Sequence, residues 1–194
     1  MGKTRLEAFS DGVLAIIITI MVLEMRAPEE IELSALRPLV GVFLSYILSF
    51  IFVGIYWNNH HHLIHTVERV SGGVMWANLH LLFWLSLVPF VTAWMGEHNF
   101  APQPTALYGV VLLMAAIAYS ILYRCIVATH GPNSVVSRAM TGDWKPNTSL
   151  ALYCIAVVVA WQVPAVAGMI YLLVAIIWLV PNRRIERALN TSKH

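Results

Sequence analysis

Three groups of residues in this chain have the types and spacing to do chemistry. The first surrounds the apolar run Val13 to Leu23, which carries Arg5, Glu7, Ser10 and Asp11 on one side and Glu24 on the other. Ionisable groups at membrane depth are costly and are kept where an ion pathway or a buried pairing needs them. The second is the cluster His60-His61-His62-Leu63-Ile64-His65, just after Trp57. His61 and His65 have the four-residue spacing that holds a metal on one helix face. No nearby Cys or carboxylate completes a ligand set in the sequence, and a metal site wants three or four ligands. An interfacial segment anchored by Trp57 is the competing reading, and a pH response through the imidazoles is a third. The last group is His80, in an apolar segment with Asn78 and Pro89. A buried His finds a packing partner; its functional version is a clamp in which Arg5 and Asp11 pair with His80 and Ser45. No Gly-rich phosphate loop, His-Glu-x-x-His or nucleophile with a base is present, so the chain reads as a non-enzyme with no cofactor and no resident metal.

These residues must be positioned by membrane helices. The chain has 194 residues, of which 59% are hydrophobic and only 11% charged, and its mean hydropathy is +0.72. That is the composition of an all-α, polytopic membrane protein in contact with lipid. A net charge of +2 gives no ground for a nucleic-acid partner. No cleavable leader pattern opens the chain. Cys125 and Cys154 both fall in apolar runs and read as inert thiols. Six helices are predicted, at 4–25, 36–58, 74–95, 105–129, 150–163 and 165–180, in a single domain over 1–194. The last two are short, and Pro164 between them suggests a hairpin; one interrupted helix, giving five spans, is the alternative.

Basic residues set the orientation. With six spans, one side holds Lys3, Arg5, Arg69, Arg124, Arg138, Lys145, Arg183, Arg184, Arg187 and Lys193, and the other only Arg26 and Arg37, ten of the 12 against two. Both termini are therefore expected in the cytoplasm of a cell-membrane protein. The opposite loop is acidic, with Glu29, Glu30 and Glu32, and either concentrates cations or is simply solvated.

The first helix is the unusual one. Its apolar run is too short for the about 20 residues a span requires. A start at Thr4, with Thr4 and Glu7 as a capping box, extends it to full length. At about 100° per residue, Ile16, Ile20 and Leu23 share a face with Gly12 and Phe9, Thr19 flanks it, and Asp11 looks away toward other helices. Such a stripe is either ordinary packing or the wall of a pore with an apolar constriction.

The pattern Arg5-x-x-x-Phe9-Ser10-Asp11-Gly12-Val13-x-Ala15-Ile16-x-x-Thr19-x-x-Val22-Leu23-Glu24 resembles the first-helix signature of the potassium channel family of the lysosomal transmembrane protein 175. The chain is similar to the short prokaryotic members with one six-helix unit. The resemblance implies a homotetramer whose first helices surround a central pore, with potassium and other monovalent cations as permeant ions. It also implies no Thr-Val-Gly-Tyr-Gly filter loop, and none occurs in this sequence. On that reading Ile16, Thr19, Ile20 and Leu23 line the pore. Arg5, Phe9, Ser10, Asp11, Gly12, Ser45 and His80 form the motif and its supporting network. Apolar rings offer an ion no ligands, so selectivity would fall to partial hydration and to Thr19 or nearby carbonyls. The alternatives are a secondary transporter, which favours inverted repeats and broken helices, or a proton- or metal-handling protein built on the cluster from His60 to His65.

Overall fold

A computed structural model of the chain describes residues 2–131, 134, 137 and 143–179. The described residues are all helical or connecting, with no strand. Helix α1 spans Lys3–Leu23, a 3₁₀ turn covers Leu33–Leu39, and α2 spans Val40–His65. Next come α3 (Gly72–Ser86), α4 (Val88–Glu97) and α5 (Pro102–His130). The last two are α6 (Lys145–Ala160) and α7 (Pro164–Leu179).

Four helical stretches are long and apolar enough to cross a membrane: Lys3–Leu23, Leu33–His65, Gly72–Glu97 and Pro102–His130. At 1.5 Å per residue, α1 is about 30 Å long. Helices α6 and α7 have 16 residues each, or about 24 Å, shorter than a typical hydrocarbon core. They pack against each other across the turn at Trp161 to Val163, so the expected hairpin is present.

Most helix ends differ from the sequence-based ones by a few residues, and three differences matter. The second helix does not end at Asn58; α2 runs on to His65, so the histidine cluster is helical. The third is broken at Leu87 into α3 and α4. Pro89 causes the break, because it has no N–H to give the Leu85 carbonyl and sits comfortably in the first turn of a new helix. The fifth begins at Lys145, where Pro146 occupies the first turn. Position 180 of the sixth lies outside the described residues.

Helix α5 is the hub, packed against α3, α4, α6 and α7. Its contact with α7 is close: a β-carbon at Gly109 would lie 2.9 Å from the Tyr171 ring. The rings of Tyr108 and Tyr171 are 5.5 Å apart, and the Tyr171 hydroxyl donates to the Thr105 carbonyl at 3.0 Å. Helix α4 lies equally close to α2, with a β-carbon at Gly96 only 2.7 Å from Val42 Cα. Helix α1 stands at the edge, against α2, α3 and α4.

Inter-helix bonds fix which ends lie together. Lys3 Nζ donates to the His65 carbonyl at 2.6 Å, so α1 and α2 are antiparallel. The backbone N–H groups of Glu68 and Arg69 donate to His130 Nε2 at 3.0 and 3.2 Å, tying the α2–α3 turn to the end of α5. Pro146 shares a cavity with Asn59 and Ser120, so α6 starts at this same end. Lys3, Arg5, Arg69, Arg124 and Lys145 therefore gather at one end, while Arg26 and Arg37 flank the other. Arg138, Arg183, Arg184, Arg187 and Lys193 lie outside the described residues.

Candidate pore-helix site

Helix α1 has two unlike faces. Leu6, Ser10, Leu14, Ile17 and Met21 are buried. Their spacing of three and four keeps them on one stripe, which packs on α2, α3 and α4. The opposite stripe is open: Leu23 is 76% exposed, Ile16 57%, Phe9 49% and Ile20 40%. Gly12, Ala15 and Thr19 are exposed beside them. Every residue assigned to a pore wall thus points away from its own subunit, as the wheel predicts. The Thr19 hydroxyl donates to the Ile16 carbonyl at 2.9 Å. Its proton is therefore committed to its own helix, and its oxygen lone pairs are left facing outward. Ile16 and Ile20 also line an open groove with Val13, Glu24, Pro89 and Phe90.

The base of α1 is held by polar bonds, and they are not the ones the sequence suggested. Ser10 is fully buried, and its hydroxyl donates to the Leu6 carbonyl at 2.9 Å. Asn78 on α3 donates from Nδ2 to Ser10 Oγ at 3.0 Å. His60 on α2 lies with Nε2 2.7 Å from Asn78 Oδ1. All donors then run one way, from His60 Nε2–H to Asn78, from Asn78 to Ser10 and from Ser10 to Leu6. This order requires the Nε2–H tautomer of His60. Three helices meet in that chain. Asp11, turned from the stripe as expected, accepts from Trp57 Nε1 on α2 at 3.1 Å.

The expected clamp of Arg5 and Asp11 with His80 and Ser45 is therefore corrected. His80 follows Asn78 by two residues, about 200° round α3, and so faces away from α1. It accepts from Trp84 Nε1 of its own helix at 2.9 Å. Ser45 lies a dozen residues before Trp57, about 18 Å along α2, and its hydroxyl donates to the Val42 carbonyl at 2.8 Å. Arg5 is exposed and makes no ion pair among the described residues.

The capping box is also corrected. Helix α1 starts at Lys3 behind Gly2, with no side-chain cap. Glu7 turns instead to α2, where its Oε1 lies 3.0 Å from His61 Nδ1 and 3.4 Å from His65 Nε2. The carboxylate that the sequence did not supply to the histidine pair therefore comes from the other helix. Trp57 stacks on His61 with ring centroids 6.1 Å apart.

Sequence reasoning missed Asn78 as the partner of Ser10 and His60 as the partner of Asn78. The available signal was the presence of an Asn inside an apolar run, which must find hydrogen bonds. Sequence order alone does not say which helix answers it.

The same architecture occurs in known proteins. The family model for the endosomal/lysosomal potassium channel TMEM175 matches residues 5–89, from Arg5 through the break at Pro89. A potassium channel of Chryseobacterium sp. is 53% identical over 192 residues, covering 99% of this chain and 100% of the relative. The chain belongs to the TMEM175 family. The human endosomal/lysosomal proton channel TMEM175 is 31% identical over 116 residues, 54% of this chain and 23% of the human protein. Among solved structures, the crystal structure of a lysosomal potassium-selective channel TMEM175 homolog from Chamaesiphon minutus superposes with a TM-score of 0.80 at 27% identity. It covers 93% of this chain and 97% of that one. The match over residues 5–89 thus spans both the two-faced α1 and the residues of α2 and α3 that hold its base.

Proposed function

We propose that this chain is one subunit of a homotetrameric, potassium-permeable cation channel. Six membrane helices per subunit, counting α3 and α4 as one and including the short α6 and α7, surround a pore walled by α1. Both termini face the cytoplasm. One observation carries this reading: the face of α1 opposite its packed stripe is exposed, and that face bears Arg5, Gly12 and Thr19 among the apolar side chains. A lipid-facing helix has no use for such groups, and lipid-exposed polar residues are disfavoured. Copies of α1 about an axis would bury the stripe, and the groove beside Pro89 and Phe90 offers a seat for a neighbouring α1. Phe9, Ile16, Ile20 and Leu23 would then form apolar rings, of which a dewetted constriction is one consequence. Thr19 would contribute a ring of oxygen lone pairs to partly hydrated potassium. The relatives named as potassium channels, and the potassium-selective homolog of known structure, support potassium as the permeant ion.

The network of Ser10, Asn78, His60, Asp11 and Trp57 is proposed to fix the rotation of α1, so that the stripe faces the axis. Conduction is passive, and no step involves a cofactor.

Purified protein in liposomes tests this. Passive potassium flux that rises without saturation supports the channel. Saturating uptake coupled to another ion would indicate a carrier and overturn the reading. Proton flux measured in the same vesicles discriminates against a proton pathway, the activity named for the human relative.

A further inference from the structure

The pair His61 and His65 meets Glu7 in a geometry that also suits a metal ion. Both imidazoles point a nitrogen at the same carboxylate oxygen, at 3.0 and 3.4 Å. The two rings lie 4.4 Å apart, edge to face. One carboxylate oxygen can accept from both imidazoles, and the same three atoms also stand at the spacing of metal ligands. A tetrahedral metal with bonds of about 2.0–2.2 Å holds its ligand atoms roughly 3.3–3.6 Å apart. One ligand atom each from Glu7, His61 and His65 falls within 4.8 Å of the other two. The i, i+4 spacing puts both histidines on one face of α2, and Lys3, bonded to the His65 carbonyl, holds the base of α1 opposite them.

We propose that Glu7, His61 and His65 form a three-ligand site for a divalent transition-metal cation, with Zn²⁺ the best fit. Two neutral imidazoles and one carboxylate are a zinc donor set with the fourth position left for water. Two nitrogen ligands disfavour Mg²⁺ and Ca²⁺, which take oxygen. The donors are partly exposed, with Glu7 at 18%, His61 at 38% and His65 at 49% of the side chain, so an ion from the aqueous end reaches them. Lys3, one turn before Glu7, engages a backbone carbonyl rather than the donors, while Asp11, one turn further along α1, is engaged by Trp57. The bound metal ties the inner end of α1 to the end of α2. Its effect on current rests on the pore reading above; the binding itself does not.

The test uses the full chain in detergent, free of any histidine tag. Titration with Co²⁺ is followed by the visible absorption of tetrahedral cobalt and reversed by Zn²⁺. One saturable site per chain is expected, lost in Glu7→Gln and in His65→Ala and retained in His98→Ala, which lies at the other end of the bundle. Elution as the wild-type assembly establishes that each variant is folded. A measurement on the unsubstituted protein stands beside it: Zn²⁺ should protect His61 and His65 from diethyl pyrocarbonate, read by peptide mass. The absence of saturable binding to the wild type overturns the site, as does binding that survives both substitutions. Potassium flux is measured first without metal, so failure of the channel reading is seen separately. Zn²⁺ added on the Lys3 side should then change wild-type flux and leave Glu7→Gln flux unchanged. Equal responses in both would overturn the regulatory part.

Discussion

Replacing Asn78 with leucine tests how α1 is held. Asn78 is fully buried, donates to Ser10 Oγ at 3.0 Å and accepts from His60 Nε2 at 2.7 Å. Leucine is close to asparagine in shape, so the change removes the bonds more than the packing. Ser10 keeps its bond to the Leu6 carbonyl and loses little. The larger cost falls on His60, which is 1% exposed and whose Nδ1 has no partner among the described residues. A buried N–H left without an acceptor costs about 1–3 kcal/mol in soluble proteins. Inter-helix bonds inside membranes average only about 0.6 kcal/mol, with a maximum near 1.7. We therefore expect Asn78→Leu to lose about 1–2 kcal/mol and Ser10→Ala to lose less than about 1 kcal/mol. Reversible unfolding of the micelle-bound protein in dodecyl sulfate, followed by tryptophan fluorescence, reads both. Because the two side chains touch, the double mutant should show a coupling of roughly 0.5–1.5 kcal/mol. Additive effects within about 0.3 kcal/mol, or an Asn78→Leu protein as stable as the wild type, would refute the three-helix chain.

Other substitutions separate packing from pore. Gly96→Ala places a β-carbon 2.7 Å from Val42 Cα; backbone cannot yield, and a loss of about 1–3 kcal/mol is expected in thermal unfolding. Gly12 meets nothing within 4 Å, so Gly12→Ala should leave unfolding unchanged or raise stability by up to about 1 kcal/mol, while altering single-channel conductance. Ile16→Asn should change conductance or selectivity more than Ile18→Asn, because Ile16 is open and Ile18 packs against the core. The opposite ranking in planar bilayers would overturn the assignment of faces. Trp57→Phe removes the donor to Asp11; since that bond is exposed, its stability cost should stay below about 1 kcal/mol.

The helical wheel was sufficient to divide α1 into faces, because burial in a helix follows a 3.6-residue period that a sequence displays directly. Ile16, Thr19, Ile20 and Leu23 fall where that period places them, and Asp11 turns away from them as it requires. The hairpin of α6 and α7 was legible from Pro164 and from the balance of basic residues. Partner choice was not legible. Asp11 meets Trp57 rather than His80 because α1 and α2 are antiparallel with their ends level, a register set by contacts far apart in sequence. For the same reason Glu7 looked like a helix cap: nothing local announces that two histidines more than fifty residues away will lie beside it. Helix ends also moved. The segment after Asn58 reads as an interfacial stretch beyond the second span, yet it continues α2 to His65, with Glu7 and Lys3 of α1 engaging its last turns.

A cysteine-accessibility scan along α1, with Cys125 and Cys154 replaced by alanine, probes most directly whether the open stripe walls an ion route. Cysteines at Gly12, Ile16, Thr19, Ile20 and Leu23 should react with a charged, water-borne thiol reagent and reduce potassium current as they do. Those at Leu14, Ile17 and Met21 should stay protected. Stripe cysteines that never react, or that react without touching the current while the buried positions are modified, would contradict a pore lined by this helix.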